Sequence, residues 1–470
     1  MTGINGGEQK SSPATIYGLK SVLNQHNYNP KSVEYILFMD RKISARLKQW
    51  KNTPHHKPLL LYGARQVGKT YSILEFGKKH YKNVVYINFE ANAEAANIFR
   101  RDLNPSRIIK ELTALSGQTI LTNETLLFFD EIQVCEQALT SLKYFCEDRT
   151  DYHIIAAGSL LGIALNREHY SFPVGKVEMI TLYPLDFEEF LWAVGKRELS
   201  ELIRDSYRSD TQMALHETAL DLYRLYLVVG GMPGAVMEYK DRQDFDLLHS
   251  VQKNISDAYI ADMAKYAAPA ETTRIMAVFR SIPAQLAKPN HKFQYRLIKS
   301  GARANLYESS LNWLKESGVV IICTRAKEGR LPLSVYGESS FFKIYMTDTG
   351  LLCAHFGIPA HLILQKSSQL DRIKGALTEN YVCFALLANG YTPYYWESPG
   401  KAEVDFIVQN KTGGIVPIEV KSSENVRSKS LAQYIDHYHP EYAIRISTKN
   451  FGFDNNIKSV PLYAVHCINE

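Results

Sequence analysis

Gly63-Ala64-Arg65-Gln66-Val67-Gly68-Lys69-Thr70 satisfies GxxxxGK[ST] without a mismatch. Glycines at these positions let backbone N–H groups curl round phosphates, and the helix that follows offers the positive end of its dipole. Lys69 then reaches the outer phosphates, and the Thr70 hydroxyl is a ligand for Mg²⁺. Some sixty residues on, Leu126-Leu127-Phe128-Phe129 runs into Asp130-Glu131. An apolar strand ending in two carboxylates suits a Mg²⁺ shell at Asp130 and a group that orients and polarises water at Glu131. Glu131 has a second reading, as an acid that only complements a helix N-terminus. Ser159, after Gly158 at the end of another apolar run, either reaches the terminal phosphate or is a turn residue. Charge developing on a transferring phosphoryl group calls for a further cation. Arg149, Arg167 and Lys176 are candidates among which the sequence does not choose. ATP and Mg²⁺ are the implied cofactors.

A second group of charges lies near the C-terminus. Glu403-Val404-Asp405 precedes Asn410-Lys411-Thr412-Gly413-Gly414, and Ile418-Glu419-Val420-Lys421 follows. Glu419 and Lys421 are two apart on one expected strand and share a face, and the turn brings Asp405 beside them. Two carboxylates so placed hold Mg²⁺, while the lysine positions or activates water against a phosphate. Alternating charges of this kind also arise on a solvent face satisfied by cross-strand pairs. Trp396 reads as core or edge packing, and Gln433 falls on the next helix.

The elements that must carry these residues follow from the pattern. Leu59 to Tyr62, Val84 to Phe89, Leu126 to Asp130 and His153 to Ala157 read as strands alternating with amphipathic helices, the signature of a parallel sheet. Residues 36–197 are assigned to this unit, after a partly disordered lead-in over 1–35. Helical periodicity over 198–270, broken at Gly230-Gly231-Met232-Pro233-Gly234, reads as a lid or connector. In 271–357, three helices (Thr272 to Lys288, Tyr295 to Lys299, Leu306 to Ser317) precede two strands (Val319 to Thr324, Phe341 to Met346), which predicts a winged helix-turn-helix. Residues 365–470 form a last α/β unit, with a helix over Gly375 to Asn389 and strands over Ala402 to Gln409 and Ile415 to Ser422.

The chain of 470 residues suits several domains at roughly 150 residues each. Its net charge of +5 names no partner, but residues 271–345 hold twelve Lys and Arg against five acids, which points to DNA. A protein partner and a homo-oligomer stay open as further partners. Six scattered cysteines without CxxC pairs give no zinc or disulfide framework and fit a reducing cytoplasm. No apolar run approaches the roughly 20 residues of a spanning helix, so no membrane association is expected.

Leu-Tyr-Gly-Ala-Arg-Gln-Val-Gly-Lys-Thr at 61–70, Asp-Glu-Ile-Gln at 130–133, Ala-Gly-Ser-Leu-Leu at 157–161, Leu-Tyr-Pro-Leu-Asp-Phe-Glu-Glu-Phe-Leu at 182–191 and Gly-Gly-Met-Pro at 230–233 resemble a large family of prokaryotic AAA-type ATPases. Its members end in a nuclease-like domain, and the charge cluster resembles the PD-(D/E)xK nuclease core. That resemblance adds Glu379, on the helix before the strands, as a further metal-binding acid beside Asp405 and Glu419. It implies an α/β chain: a P-loop NTPase sheet, a winged helix and a restriction-endonuclease-like domain. The function it implies is ATP hydrolysis coupled to a DNA transaction, with a metal-dependent nuclease site at Asp405, Glu419 and Lys421. The alternative is an ATP-controlled switch or protein-interaction scaffold whose nuclease-like domain is idle. Gly175-Lys176 departs from the family's usual Gly-Arg, and lysine lacks the planar fork of an arginine.

Overall fold

The computed structural model describes residues 39–159, 162, 173–365, 368–398, 402–422 and 429–469. The lead-in over 1–35 and the candidate cation Arg167 lie outside them. Residues 41–470 form one compact unit.

Its first sheet is five-stranded, parallel throughout, in the order β2-β3-β4-β1-β5. The strands are β1 (Leu59–Tyr62), β2 (Asn83–Asn88), β3 (Thr125–Asp130), β4 (His153–Gly158) and β5 (Glu178–Thr181). The first four stand where the apolar runs place them, and β5 carried no comparable run. Every residue of β3 and β4 is buried, as strands covered on both faces must be. Around them lie α1 (Ile43–Asn52), α2 (Lys69–His80), α3 (Ala93–Arg101), α4 (Pro105–Ser116) and α5 (Glu136–Asp148). Phe99, Ile108, Leu112, Leu139 and Phe145 of these helices pack on Val85, Leu127, Phe129 and Ile154 of the sheet.

A helical layer follows: α6 (Phe187–Ala193), α7 (Arg197–Ser209), α8 (His216–Val229), α9 (Pro233–Arg242), α10 (Phe245–Tyr266) and α11 (Pro269–Leu286). The start of α6 is fixed by a capping box between Asp186 and Glu189. The break between α8 and α9 falls at Gly230–Met232, with Pro233 opening α9. Gly230 has φ 75°, and a Cβ there would lie 2.4 Å from Asp348 Oδ1. Only glycine fits that approach. Asp348 in turn accepts hydrogen bonds from Gly231 N at 2.6 Å and Leu351 N at 2.8 Å. Burial pushes its carboxyl up to about 6.

The second sheet has eight strands in the order β12-β13-β11-β10-β9-β8-β6-β7. The hairpin β6 (Val320–Ala326) and β7 (Gly337–Met346) follows α12 (Glu308–Glu316). After β7 come α13 (Thr349–Phe356), α14 (Ala360–Leu364) and α15 (Asp371–Ala388). The remaining elements are β8 (Tyr394–Glu397), β9 (Glu403–Gln409), β10 (Ile415–Val420), α16 (Lys429–Tyr438), β11 (Ala443–Ser447), β12 (Gly452–Asp454) and β13 (Ile457–Pro461). The middle of the three helices expected in 271–357 is a single 3-10 turn, Tyr295–Leu297.

The hairpin expected as a wing has a second strand partner. The two strands read as a wing do pair antiparallel, but β6 also pairs parallel with β8, so the hairpin is the edge of the C-terminal sheet. A free-standing wing and an edge hairpin have the same local pattern; what differs is a partner seventy residues away, Thr324 against Tyr394. Buried charge locks this junction. Lys343 of β7, 1% exposed, lies 2.8 Å from Glu379 of α15 and 2.8 Å from Glu403 of β9. Trp396 is buried in β8, as packing requires, and its indole donates to Tyr438 Oη. No helix among the described residues is long and apolar enough to cross a membrane.

Lys343→Met leaves Glu379 and Glu403 without their shared cation, so the unfolding free energy in denaturant titration is expected to fall by about 3–5 kcal/mol. A loss below about 1 kcal/mol would show that the junction does not depend on it. Asp348 makes a pH prediction. Its folded pKa, about 6, exceeds the ordinary aspartate value of 3.8, so its contribution to stability is fully present below about pH 4 and lost as pH rises through 6. The stability of the native chain minus that of Asp348→Asn should therefore fall between pH 4 and 7 by on the order of 2–3 kcal/mol. A native chain that gains stability relative to the variant over that range would refute the assignment.

Candidate functional site

The loop 63–68 leaves the end of β1 and enters α2 at Lys69. Three of its residues have positive φ: Gly63 at 148°, Gln66 at 65° and Gly68 at 94°. Gly63 is obligatory, since a Cβ there would sit 2.1 Å from Leu182 O. Gln66 holds the left-handed conformation without a glycine's freedom, a strain of order 1 kcal/mol sustained by its surroundings. Lys69 Nζ donates to the carbonyls of Gly63 and Ala64, each at 2.9 Å. Burial lowers its pKa to about 8.

Asp130 ends β3 directly across from that helix start. Its Oδ2 accepts from Thr70 Oγ1 at 2.9 Å and from Tyr86 Oη at 3.1 Å, and its Oδ1 accepts from Glu131 N at 3.1 Å. Burial, with Glu131 beside it, raises the carboxyl to about 6. A carboxylate and a hydroxyl converging this way, with the acid short of counter-charge, fit Mg²⁺, which is held by one or two protein oxygens together with phosphate. Glu131 is left-handed at φ 51° and accepts a 2.6 Å hydrogen bond from Gln133 Nε2. Ser159 is buried just past β4, the strand that runs between β1 and β3. The loop, both acids and the serine thus gather at the carboxyl ends of three adjacent strands, where parallel α/β sheets bind ligands.

Residues that the sequence did not single out complete the frame. Arg41, 6% exposed, donates to Val67 O at 2.9 Å, Tyr183 O at 2.7 Å and Glu189 Oε1 at 3.1 Å, so it braces the loop from outside. Tyr86 orients Asp130 from β2. Neither carries a motif: an arginine before a helix and a tyrosine in a strand are ordinary until the partner is known. The candidate cations lie elsewhere. Arg149 is forked onto Asp151 at 2.9 Å through Nε and Nη2, and Lys176 pairs with Glu147 at 2.9 Å.

The C-terminal cluster is built on β9 and β10. Their antiparallel register places Ile418 opposite Phe406, so the next residues, Glu419 and Asp405, face each other on one side of the sheet. Asp405 Oδ2 accepts from Val420 N at 2.8 Å. Burial and the neighbouring carboxylates of Glu379 and Glu419 push Asp405 well above the ordinary carboxylate range. Glu419 is 3% exposed; its Oε1 lies 2.5 Å from Lys421 Nζ, and its Oε2 is buried without a hydrogen-bond partner. Burial works against the Lys421 charge, but Asp405 and Glu419 hold its pKa up.

Glu379 is engaged differently from the expectation. His291 Nδ1 lies 2.6 Å from its Oε2, while Lys343 Nζ at 2.8 Å and the Tyr345 hydroxyl donate to its Oε1. Burial would raise this carboxyl, yet Lys343 and His291 hold it far below the usual range. Its oxygens serve the junction with β7, and no group of three His, Cys, Asp or Glu placed for a metal occurs among the described residues. Asp405 and Glu419 remain as the facing carboxylates of the cluster, and Glu419 Oε2 is a buried acceptor without a partner. Arg445 of β11, paired in register with Glu419, has a buried Nε with no partner and went unnoticed in the sequence.

Three family models match the chain. Residues 55–191 match one described as an AAA domain, 220–362 a domain of unknown function (DUF8612), and 374–465 a domain of unknown function (DUF4143). An uncharacterized protein of Methanocaldococcus jannaschii is 32% identical over 137 residues, 29% of this chain and 28% of that protein. The chain thus matches little more than a quarter of that relative's length. Among solved structures, a Walker-type ATPase of Pyrococcus abyssi is 17% identical with a TM-score of 0.41, covering 67% of this chain and 95% of its own. Cdc6p of Pyrobaculum aerophilum is 14% identical with a TM-score of 0.23, covering 72% and 96%. Such scores carry no inference about activity. The match over 55–191 coincides with the phosphate loop, Asp130, Glu131 and Ser159, and the chain carries there a P-loop ATPase domain of the AAA type.

Proposed function

We propose that the chain is a Mg²⁺-dependent ATPase whose turnover is coupled to a DNA transaction at the C-terminal carboxylate pair. The observation that carries the ATPase reading is the 2.9 Å hydrogen bond from Thr70 Oγ1 to Asp130 Oδ2, which puts hydroxyl and carboxylate where one hard cation takes both. Loop amides and Lys69 hold the phosphates, and Ser159 meets the terminal one. When bound, Mg²⁺ neutralises charge on the phosphate oxygens. Glu131, steadied by Gln133, orients a water and accepts its proton as the new P–O bond forms. The bond from the terminal phosphorus to the bridging oxygen breaks, and its electron pair leaves with ADP.

On this reading Lys69→Ala abolishes tight ATP binding, because the phosphates lose the ammonium at the loop's centre. Glu131→Gln keeps Mg²⁺-ATP but lowers kcat by about 100-fold, since shape is retained and the proton acceptor is lost. Calorimetry and a phosphate-release assay on the full chain check both. Unchanged affinity in the first variant or unchanged turnover in the second would overturn the assigned role.

For the distal unit, the succession α15, β8-β9-β10, α16, β11 supports a PD-(D/E)xK-like core. The helices α11 and α12 with the β6–β7 hairpin support a winged helix whose wing has joined that sheet. Asp405 and Glu419 would hold Mg²⁺, and Lys421 would add positive charge beside the scissile phosphate. The exposed cations of this segment that would meet DNA are Arg280, Arg296, Lys299, Arg303, Lys315 and Lys327, together with Arg330, which lies 3.4 Å from Glu328. A second reading, an ATP-controlled switch with an idle distal site, is favoured by Glu379 being committed to Lys343, His291 and Tyr345. The two separate on one experiment. The first expects DNA cleavage that requires Mg²⁺ or Mn²⁺ and disappears in Asp405→Ala and Glu419→Ala, with ATP hydrolysis retained. Absence of cleavage with every divalent metal assigns the chain to the second.

A further inference from the structure

Hydrolysis at the phosphate loop needs a cation besides Lys69, and the described candidates are spoken for: Arg149 by Asp151, Lys176 by Glu147, and Arg41 by the carbonyls and the carboxylate that it braces. We propose that Arg65, inside the loop, is the group that contacts the terminal phosphate, and that Asp262 of α10 competes with that phosphate for its guanidinium. The inference rests on reading 63–70 as an ATP phosphate loop.

Position argues first. Lys69 Nζ is anchored on the carbonyls of Gly63 and Ala64, the two residues directly before Arg65. A phosphate held by that ammonium therefore lies beside the stretch of loop that carries Arg65. The electrostatics agree with this placement: Lys69 feels the charges of Arg65 and Asp262, and Asp262 feels Glu131.

The present partner of Arg65 is poised for exchange. Arg65 Nη1 hydrogen-bonds to Asp262 Oδ1 through one nitrogen, with the arginine side chain 45% exposed and the aspartate 5%. A guanidinium prefers a fork, and a terminal phosphate offers more charge and more acceptor oxygens than a singly engaged carboxylate. Meanwhile Tyr259 Oη, from the same helix as Asp262, donates to Arg65 O at 3.2 Å and fixes the backbone, so that the side chain alone need swing. A small crevice lined by Arg65, Tyr259, Asp262, Trp313, Ser317 and Val319 opens on the Asp262 side of the arginine. Departure of Arg65 strips Asp262 of its counter-charge, and burial already raises that carboxyl. Terminal-phosphate binding is thereby linked to the charge on α10, and ADP, lacking that phosphate, leaves the pair intact.

The test compares ATP with ADP, both with Mg²⁺, by calorimetry on the full chain. Arg65→Ala should weaken ATP by about tenfold or more, the loss of one charged hydrogen bond, while ADP affinity stays within about twofold; Arg65→Lys should recover part of the loss. Asp262→Asn, nearly isosteric, should tighten ATP and leave ADP unchanged. Thermal unfolding controls for folding, and should Asp262→Asn fail to fold, the Arg65 pair decides alone. Equal loss of ATP and ADP in Arg65→Ala, or no loss of ATP, would overturn the proposal while leaving the ATPase reading standing. A native chain that binds neither nucleotide would instead sink that reading itself.

Discussion

A lysine ammonium with 1% exposure is tolerable only among carboxylates, and Lys343 has two. Burial of an unpaired charge would cost several kcal/mol, so β7 must lie where Glu379 and Glu403 can reach it. That requirement makes the β6–β7 hairpin the edge of the C-terminal sheet. It also fills the oxygens of Glu379, which stays near Asp405 but is engaged by Lys343, His291 and Tyr345. One ionic junction thus ties the hairpin to the second sheet and commits the oxygens of Glu379.

The same strand reaches the phosphate loop. Thr347 and Asp348 follow β7 directly. Thr347 Oγ1 donates to Gly318 O at 2.8 Å, and Gly318 lies against the loop: a Cβ there would be 3.1 Å from Ala64 N. Asp348 holds Gly231, and Pro233, two residues on, packs near Gly68. Lys343 and Thr347 are four residues apart, on the order of 14 Å along a strand. The C-terminal part of β7 thus carries the carboxylate junction at Lys343 and leads directly into the residues that touch the neighbours of the phosphate loop.

Charge read along the chain differs from charge read in space. Residues 271–345 look strongly basic, yet Lys292 reaches Glu397 and Glu403, Arg325 reaches Glu338 and Glu397, and Lys343 reaches Glu379 and Glu403. Part of the apparent nucleic-acid charge is internal counter-charge for acids on β7, α15, β8 and β9. What survives at the surface is a smaller set on the helices and the hairpin loop.

The local signals determined a great deal. Four strands of the first sheet, the phosphate loop, Asp130-Glu131 and the break at Gly230 were legible because each depends on apolar runs, glycine conformations or a motif confined to a few residues. The pairing of Asp405 with Glu419 was legible too, since one turn sets the register between their strands. β5 and β8, short and without a distinctive pattern, were not. Nor were Arg41, Tyr86, Asp262, Lys343 and Arg445, whose significance lies wholly in partners dozens to hundreds of residues away. Whether Glu379 is a metal ligand or a counter-ion, and whether a hairpin is a wing or a sheet edge, are questions that residue type and spacing leave degenerate. Only the tertiary structure resolves them, because burial forces each charge to find a partner and long-range packing alone decides which partner that is.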